Sequence, residues 1–338
     1  MKSLAVHLGV LGVSGALALW VYEGGAQVEK PKAEEVELWG GSPDAIQSIE
    51  YDTKLRDVRV EPKRDDQGRW YVVKVDREAA TPPPLPPGHG AVPPPPEGST
   101  KRDKLAFVGV KEVEELAKKL APLRAVRAVG KVDAKRAADF GLDKPEGTLK
   151  IRIGGTERVL TFGAQAPGGG ERYAKYATSG EIYAIDNDIY QSLQLADSRL
   201  MERALHGFDF AEVDRITVTR GGKLREAVRV PEKRDAWADS ATPAKLDETL
   251  GNWITKLDRL HVNEYVEKPA TPPRLEDLVV RVEYFSRGKR VGFLELYKLA
   301  GGEKGSEYLA RTEQTRWYAQ VLASAAEQVD QDLGALLK

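Results

Sequence analysis

Residues 137–163 read AADFGLDKPEGTLKIRIGGTERVLTFG. A Phe-Gly-Leu turn closes at Pro145, and two segments with alternating apolar residues follow on either side of Gly154 and Gly155. Alternation with a period of two is typical of a half-buried strand, and a Gly-Gly pair between two such strands favours a tight hairpin turn. The stretch therefore predicts an antiparallel hairpin, and it contains no obvious catalytic group.

Composition limits the classes of function. The chain has 338 residues, of which 41% are hydrophobic and 30% charged, and this suits about two globular domains. Its 51 basic and 52 acidic residues nearly cancel, so no overall field favours nucleic acid. Without cysteine there is no disulfide and no thiolate site, and the four scattered histidines form no ligand pair. Carboxylates alone could still hold calcium or magnesium.

The N-terminus carries a long apolar segment. From Ser3 to Tyr22 the chain has no charged residue, and twenty residues are about what a helix needs to cross a bilayer. Lys2 on one side favours a cytoplasmic N-terminus, while Trp20 and Tyr22 are typical of the opposite interface. We therefore predict an uncleaved transmembrane anchor over residues 1–23, with a periplasmic body attached to the inner membrane. The alternative is a signal peptide cleaved near Ala18.

The remaining chain divides into a tether and two similar units. Residues 24–37 are polar and without apolar period, which is typical of a tether. The first unit spans residues 38–199 and includes a proline-rich insertion at residues 80–98. This insertion is either a polyproline II ligand or a stiff surface segment between two elements. The second unit spans residues 200–338.

The two units show the same order of predicted elements. In the first, a three-stranded meander precedes an amphipathic helix over residues 110–123, an edge strand, the hairpin, two further strands and a helix. The second repeats this order around a helix at residues 246–260 and a hairpin at residues 278–296. We therefore predict an α+β fold of two tandem repeats, each a mainly antiparallel sheet with packed helices, preceded by one N-terminal transmembrane helix.

Several side chains are candidates for chemistry. Trp70 and Trp237 occupy matching places, and we expect them to be buried core anchors, with ligand stacking as the alternative. Asp143 is expected to cap its own turn. The basic pairs and runs at residues 101–102 and 131–136 are interrupted by acids and predict solvated faces. No phosphate-binding, nucleophile-elbow or metalloprotease motif occurs, so we assign no catalytic, cofactor-binding or metal residues.

Several features together carry a resemblance to a known family: Trp70, Phe140-Gly141-Leu142-Asp143-Lys144-Pro145 with the hairpin that follows, Tyr183, and Arg199-Leu200-x-x-Arg203 before Phe208. In these features the chain resembles the bacterial family called domain of unknown function 4340. The resemblance covers about residues 38–333, and its most specific element is the Gly-Leu-Asp-x-Pro motif. The chain departs from the family by its proline-rich insertion, and its second hairpin lacks the motif.

The resemblance implies a role at the cell envelope. Members are typically anchored by one N-terminal helix, face the periplasm and are often encoded beside ABC-transporter subunits associated with gliding motility. The chain is therefore expected to be a non-enzymatic accessory or scaffold protein that docks such a complex. The alternatives are a periplasmic binding module for peptidoglycan or polysaccharide, which needs an exposed aromatic groove, and an envelope hydrolase, which needs two carboxylates in a cleft.

Overall fold

The computed structural model describes residues 35–78, 102–230, 233, 236–300 and 305–337. Within them the chain forms two large antiparallel sheets, a small two-stranded sheet and six α-helices, which confirms the predicted α+β class. None of these helices is both long and apolar enough to span a bilayer. The predicted anchor from Ser3 to Tyr22 and the proline-rich insertion at residues 80–98 lie outside the described residues.

The secondary structure runs through both predicted units. Up to residue 199 the elements are β1 (Val36–Trp39), β2 (Ile46–Asp52), β3 (Arg56–Asp65), β4 (Gly68–Glu78), β5 (Arg102–Gly109), α1 (Lys111–Leu120), β6 (Leu123–Ala125), β7 (Arg127–Gly130), α2 (Ala134–Ala137), β8 (Gly147–Ile153), β9 (Thr156–Gln165), β10 (Glu171–Tyr176), β11 (Ile182–Asp186), α3 (Asn187–Gln194) and α4 (Ala196–Arg199). Beyond it are β12 (Arg215–Arg220), β13 (Lys223–Arg229), β14 (Trp237–Asp239), α5 (Glu248–Asp258), β15 (Val262–Val266), β16 (Leu278–Ser286), β17 (Lys289–Leu299), β18 (Glu307–Thr312), β19 (Tyr318–Val321) and α6 (Ala323–Leu336).

The two large sheets share one strand order. The first sheet runs β5-β4-β3-β2-β8-β9-β10-β11-β7, and the second runs β14-β13-β12-β16-β17-β18-β19-β15. Once β5 is set aside, the two orders match strand for strand, so the predicted repetition of the sheets is observed. The boundary at residue 200 stays a prediction. Strand β1 begins at Val36, inside the segment predicted as tether, and pairs with β6.

The hairpin that predicted the fold is β8 and β9. Leu149, Ile151 and Ile153 are buried on one face, and Gly154 and Gly155 have φ of 55° and 82°. Positive φ at both central residues is what a type I′ turn requires, and glycine adopts it without a Cβ penalty. The alternation in the sequence is therefore the alternation of the sheet.

Helices cover the apolar face of each sheet. Helix α1 buries Val113, Leu116 and Leu120, as its apolar period predicts. In the second unit α5 packs on α6, and the Trp253 indole donates a hydrogen bond to the Val329 carbonyl at 3.0 Å. Both helices therefore bury the face that their sequence period indicates.

Strand β5 was not predicted. It follows the proline-rich insertion, and its first three residues, Arg102 to Lys104, are all charged. Its eight residues pair antiparallel with β4, where Phe107 faces Val73 and both are fully buried. Among the described residues the second sheet has no corresponding strand, so β5 is the main difference in topology between the two sheets as described.

The prediction that Trp237 is a buried core residue is confirmed, whereas Trp70 is only partly buried and packs against the core. Tyr71 and Val73 are fully buried on the helix-covered face of β4, so alternation places Trp70 on the opposite face, where it is half-buried. Trp237 is 2% exposed and lies beneath the Arg229 guanidinium, 4.6 Å from it. The two tryptophans therefore differ in environment although they lie on matching strands.

The Asp143 prediction was wrong. Asp143 is exposed, and within the described chain its carboxylate accepts no hydrogen bond. The turn is closed instead by its backbone, with Gly141 at φ 68° and the Leu142 amide donating to the Ala137 carbonyl at 3.1 Å. A Cβ on Gly141 would lie 2.6 Å from the Ala164 amide nitrogen. The family motif therefore describes a close approach of two backbone segments.

Candidate functional site

The segment between residues 200 and 209, here called the connector, links the edges of the two sheets. The Glu202 amide donates to the Val108 carbonyl on β5 at 3.0 Å, and the Val262 amide on β15 donates to the Arg203 carbonyl at 3.0 Å. The Tyr265 hydroxyl donates to the Glu202 carbonyl at 2.9 Å. A link was predicted from Leu200 to Phe210, and the structure bonds this segment to both edge strands.

Glu202 fixes the connector to the start of α1. The residue is 9% exposed, and its carboxylate accepts the Lys111 amide at 3.4 Å and the Ala204 amide at 3.0 Å. Helix α1 receives no side-chain cap from Val110, its N-cap residue. A carboxylate near the first helical amides is favourable because those amides lack partners and carry partial positive charge.

The turn between β18 and β19 holds the connector from the other side. Glu313 accepts the Gly207 amide at 3.2 Å and the Phe293 amide at 3.0 Å, and its carboxylate lies 3.1 Å from His206 Nδ1. A Cβ on Gly292 would lie 2.4 Å from a Glu313 oxygen, so the absence of a side chain there admits the carboxylate. The His206 ring lies against Phe208 and Tyr284, each with centroids 4.7 Å away.

The same turn reaches the first sheet through one ion pair. Arg316 Nε and Nη2 lie 3.1 and 3.4 Å from the two oxygens of Asp65, at the tip of the β3–β4 hairpin. The Arg316 side chain is 10% exposed, and its Nη1 also donates to the Gln314 carbonyl at 2.6 Å. A bidentate arginine–carboxylate pair fixes orientation as well as distance. We call the connector, the β18–β19 turn and Asp65 the junction.

Electrostatics in the junction support a positional role. Although burial works in the opposite direction, the Arg316 hydrogen bonds and charge lower the pKa of Asp65. Burial raises the pKa of the Tyr265 hydroxyl, and burial together with the Glu313 charge raises that of Tyr284. The His206–Glu313 pair has the spacing of a general-base dyad, but both carboxylate oxygens also accept backbone amides. The arrangement therefore holds the chain in place.

A groove of about 780 Å³ lies at the end of the second sheet, between β13 and the last turn of α6. Its charges are used within the protein. Arg225 contacts Asp239 at 2.9 Å and Asp247 at 2.6 Å, while Lys223 donates to the Leu337 carbonyl at 2.9 Å. The cations thus neutralise two carboxylates and the carbonyl end of a helix, and they leave the groove without an unpaired charge from these residues.

A second polar cluster lies under the motif turn. Arg172 is 4% exposed, and its guanidinium lies 3.5 Å from the Tyr190 ring centroid and 2.9 Å from Glu146. It also donates to the Asn187 side chain and to the Gly163 carbonyl. Its Nε and Nη1 atoms therefore both have partners, and a buried arginine needs such pairing. The cluster joins β10, α3 and the residue after the motif, Glu146.

Sequence reasoning missed the junction. Glu202 and His206 lie in one segment and Glu313 and Arg316 in another, with 107 positions between His206 and Glu313, and none of them belongs to a recognised catalytic motif. Arg316 is 251 residues from Asp65. Of the basic run at residues 131–136, Lys131, Lys135 and Arg136 make no ion pair within the described chain, consistent with the predicted solvated face. Among the described residues, no group of three or more His, Asp or Glu side chains is placed to hold a metal ion.

One family model matches residues 108–278, just over half of the chain, and is described as "Domain of unknown function (DUF4340)". The chain belongs to the DUF4340 family. Neither the curated proteins nor the solved structures contain a match. The DUF4340 match includes α1, the motif turn, the β8–β9 hairpin and the connector, whereas Asp65 and Arg316 lie outside it.

Proposed function

We propose that this DUF4340 protein is a non-enzymatic accessory protein of the cell envelope, anchored in the inner membrane through residues 3–22 with its body in the periplasm. In this role it docks a multi-subunit complex, and an ABC transporter is the foremost candidate. The observation that carries the proposal is the junction, because backbone hydrogen bonds and one bidentate ion pair connect two like sheets. A scaffold requires such fixed geometry between its binding faces.

The two alternatives receive less support. A polysaccharide site built on paired tryptophans is disfavoured because Trp237 is 2% exposed and covered by Arg229. A hydrolase would place two carboxylates across a cleft, yet Glu313 is held by two backbone amides and a histidine. Trp237 and Glu313 are therefore both engaged by neighbouring groups of the protein itself.

The proposal is tested by crosslinking and affinity capture of the full-length protein from its native membranes. We expect transporter subunits to be recovered, and recovery of glycan alone would favour the binding module instead. Deleting residues 1–23 should give a folded protein that no longer sediments with membranes; continued sedimentation would contradict the single anchor. Arg316→Ala should reduce recovery of the complex, whereas Arg274→Ala, at an exposed ion pair with Glu276, is the matched control.

A further inference from the structure

Strand β5 lies at one end of the first sheet, and its outer edge is only partly covered. Near the end of the strand, the Val108 carbonyl accepts the Glu202 amide of the connector at 3.0 Å. Among the described residues, no strand pairs with this edge, and no hydrogen bond reaches the backbone of Lys104 or Ala106 from outside the sheet. The connector therefore occupies one end of the edge, and the segment from Arg102 to Ala106 lies beside it.

The register of β5 fixes which of its backbone groups point outward. The ladder with β4 extends over all eight residues of β5 without a register shift. In an antiparallel strand the N–H and C=O groups of one residue point the same way, and successive residues alternate. Because the Val108 carbonyl points outward to Glu202, the backbone groups of Ala106 and Lys104 point outward as well. Both residues are exposed.

The pairing of β4 with its other neighbour agrees with this assignment. The Glu78 amide donates to the Leu55 carbonyl, on the β3 side, at 2.9 Å. Alternation along β4 then directs the backbone groups of Val73 toward β5, where this residue faces Phe107. Val73 and Phe107 therefore form a hydrogen-bonded pair, and Ala106 presents its amide and carbonyl to the outer side. An exposed edge of this kind is a template for pairing with a further strand.

The sheet surface beside this edge forms a hollow of about 400 Å³ over β3, β4 and β5. Two aspartates line it, and both are engaged by one cation, since Arg102 lies 3.0 Å from Asp57 and 3.5 Å from Asp76. Arg59 and Lys104 also line the hollow, are exposed, and make no ion pair within the part of the chain that the structure describes. The side chains left to meet a ligand are therefore cations, which deter self-pairing and favour an acidic partner.

We propose that the β5 edge from Arg102 to Ala106 binds an extended, acidic segment of a partner protein as an added strand. The connector already bonds Val108 on the same side, so the partner strand continues an existing contact. The backbone groups of Lys104 and Ala106 supply main-chain hydrogen bonds, and an acidic residue opposite Lys104 meets its ammonium group across the strands. The inference rests on the proposed scaffold function for the biological partner, but the edge itself is testable without that partner.

The experiment follows amide exchange in the full-length protein with two synthetic peptides of about eight residues, one alternating valine with glutamate and the other valine with lysine. Without peptide, we expect Lys104 and Ala106 to exchange much faster than Phe107, whose amide is bonded to β4. With peptide at about 1 mM and a dissociation constant of about 0.1 mM, the glutamate peptide should slow exchange at Lys104 and Ala106 about tenfold, because exchange proceeds from the unbound fraction. The lysine peptide should slow it less than about twofold.

Three outcomes would overturn the proposal. Slow exchange at Lys104 and Ala106 without peptide would show that this chain, or a second copy of it, already covers the edge. Equal protection by both peptides would exclude selection by charge. No protection by either peptide would exclude the addition of a strand.

Variants at the edge sharpen the test. Ala106→Pro removes an outward amide and leaves the bonds to β4 in place, and an edge strand tolerates proline at such a position. It should return exchange at Lys104 to the rate without peptide, whereas Ala106→Ser, the matched control that keeps the amide, should stay protected. Lys104→Glu combined with Arg59→Glu should make the lysine peptide the protecting one, and an unchanged preference would contradict the role of these cations. Failure of the peptide experiments would leave capture of a membrane complex unaffected, so the two proposals fail separately.

Discussion

The two large sheets share one strand order but have different side chains at matching positions. Matching positions in the two sheets can be found by counting back from the hairpin turns at Gly154-Gly155 and Arg287-Gly288. By this count Gly147 matches Val280. The strands that pair with these hairpins then place Tyr51 at the position of Val218. A Cβ on Gly147 would lie 2.6 Å from the Tyr51 ring. The first sheet therefore has glycine beside a large ring, whereas the second has valine at both matching positions.

The outer faces differ in the same manner. Gly163 takes the place of Tyr297, and a Cβ on Gly163 would lie 2.1 Å from the Phe140 carbonyl oxygen. In the first unit the motif turn lies directly on this glycine. In the second, the Tyr297 side chain occupies the position and contacts Tyr318 at a centroid distance of 6.2 Å. The second hairpin thus has an aromatic side chain at the position where the first has the glycine that contacts the motif turn.

The largest expected effect separates the two tryptophans. Trp237→Ala should lower the free energy of unfolding by about 3–5 kcal/mol, because it leaves a cavity in a closed core. Trp70→Ala should lower the free energy of unfolding by less, since its side chain is already partly exposed. Urea unfolding of the full-length variants measures both, and equal losses would contradict the difference in environment.

The next effect tests the motif turn. Gly163→Ala should lower the free energy of unfolding by about 3 kcal/mol, because the new methyl group would clash with the backbone of Phe140 rather than with a movable side chain. Gly170→Ala is the matched control, since a Cβ there has no neighbour within 4 Å and should change stability by less than about 0.5 kcal/mol. If the two variants unfold at the same urea concentration, the close approach is not important for stability.

A smaller effect tests the exchange of volume between Tyr51 and Gly147. Gly147→Ala should lower the free energy of unfolding by about 2 kcal/mol in the wild-type background. The loss should be much smaller when Tyr51 is replaced by valine, the residue type found at the matching position, Val218. The two changes should therefore be coupled by about 1 kcal/mol or more in a double-mutant cycle. Additive losses would show that the Tyr51 ring is not what excludes a side chain at Gly147.

The smallest effect concerns the ion pair between the sheets. Arg316→Met should lower the free energy of unfolding at neutral pH by about 1 kcal/mol. The pKa of Asp65 is lowered in the folded protein, so the stabilisation is complete above its ordinary value of 3.8 and is lost as the pH falls through the folded value. The difference between wild type and variant should therefore vanish in acid. Arg274→Met serves as the control, and a difference that persists in acid would exclude the ion pair as its cause.

The sequence alone determined the elements whose period is local. The alternation of apolar residues predicted the β8–β9 hairpin, and the apolar stripe of Val113, Leu116 and Leu120 predicted α1. The recurrence of element types predicted the repeat of the sheets. These features depend on the geometry of residues that are close in the chain, and this geometry produces a regular spacing of apolar residues in the sequence. Family membership followed from the same stretch, although the Asp143 side chain proved to have no part in shaping the turn.

Only the tertiary structure decided how the sheets are joined. The pairing of β5 with β4, the face of Trp70, and the contacts of Glu202, Glu313 and Arg316 all depend on residues that are distant in the chain. A mixed polar strand such as β5 lacks a strong period, and an ion pair across 251 positions leaves no local pattern. The hairpins could thus be predicted from order alone, whereas the junction exists only because folding brings separate segments to one place.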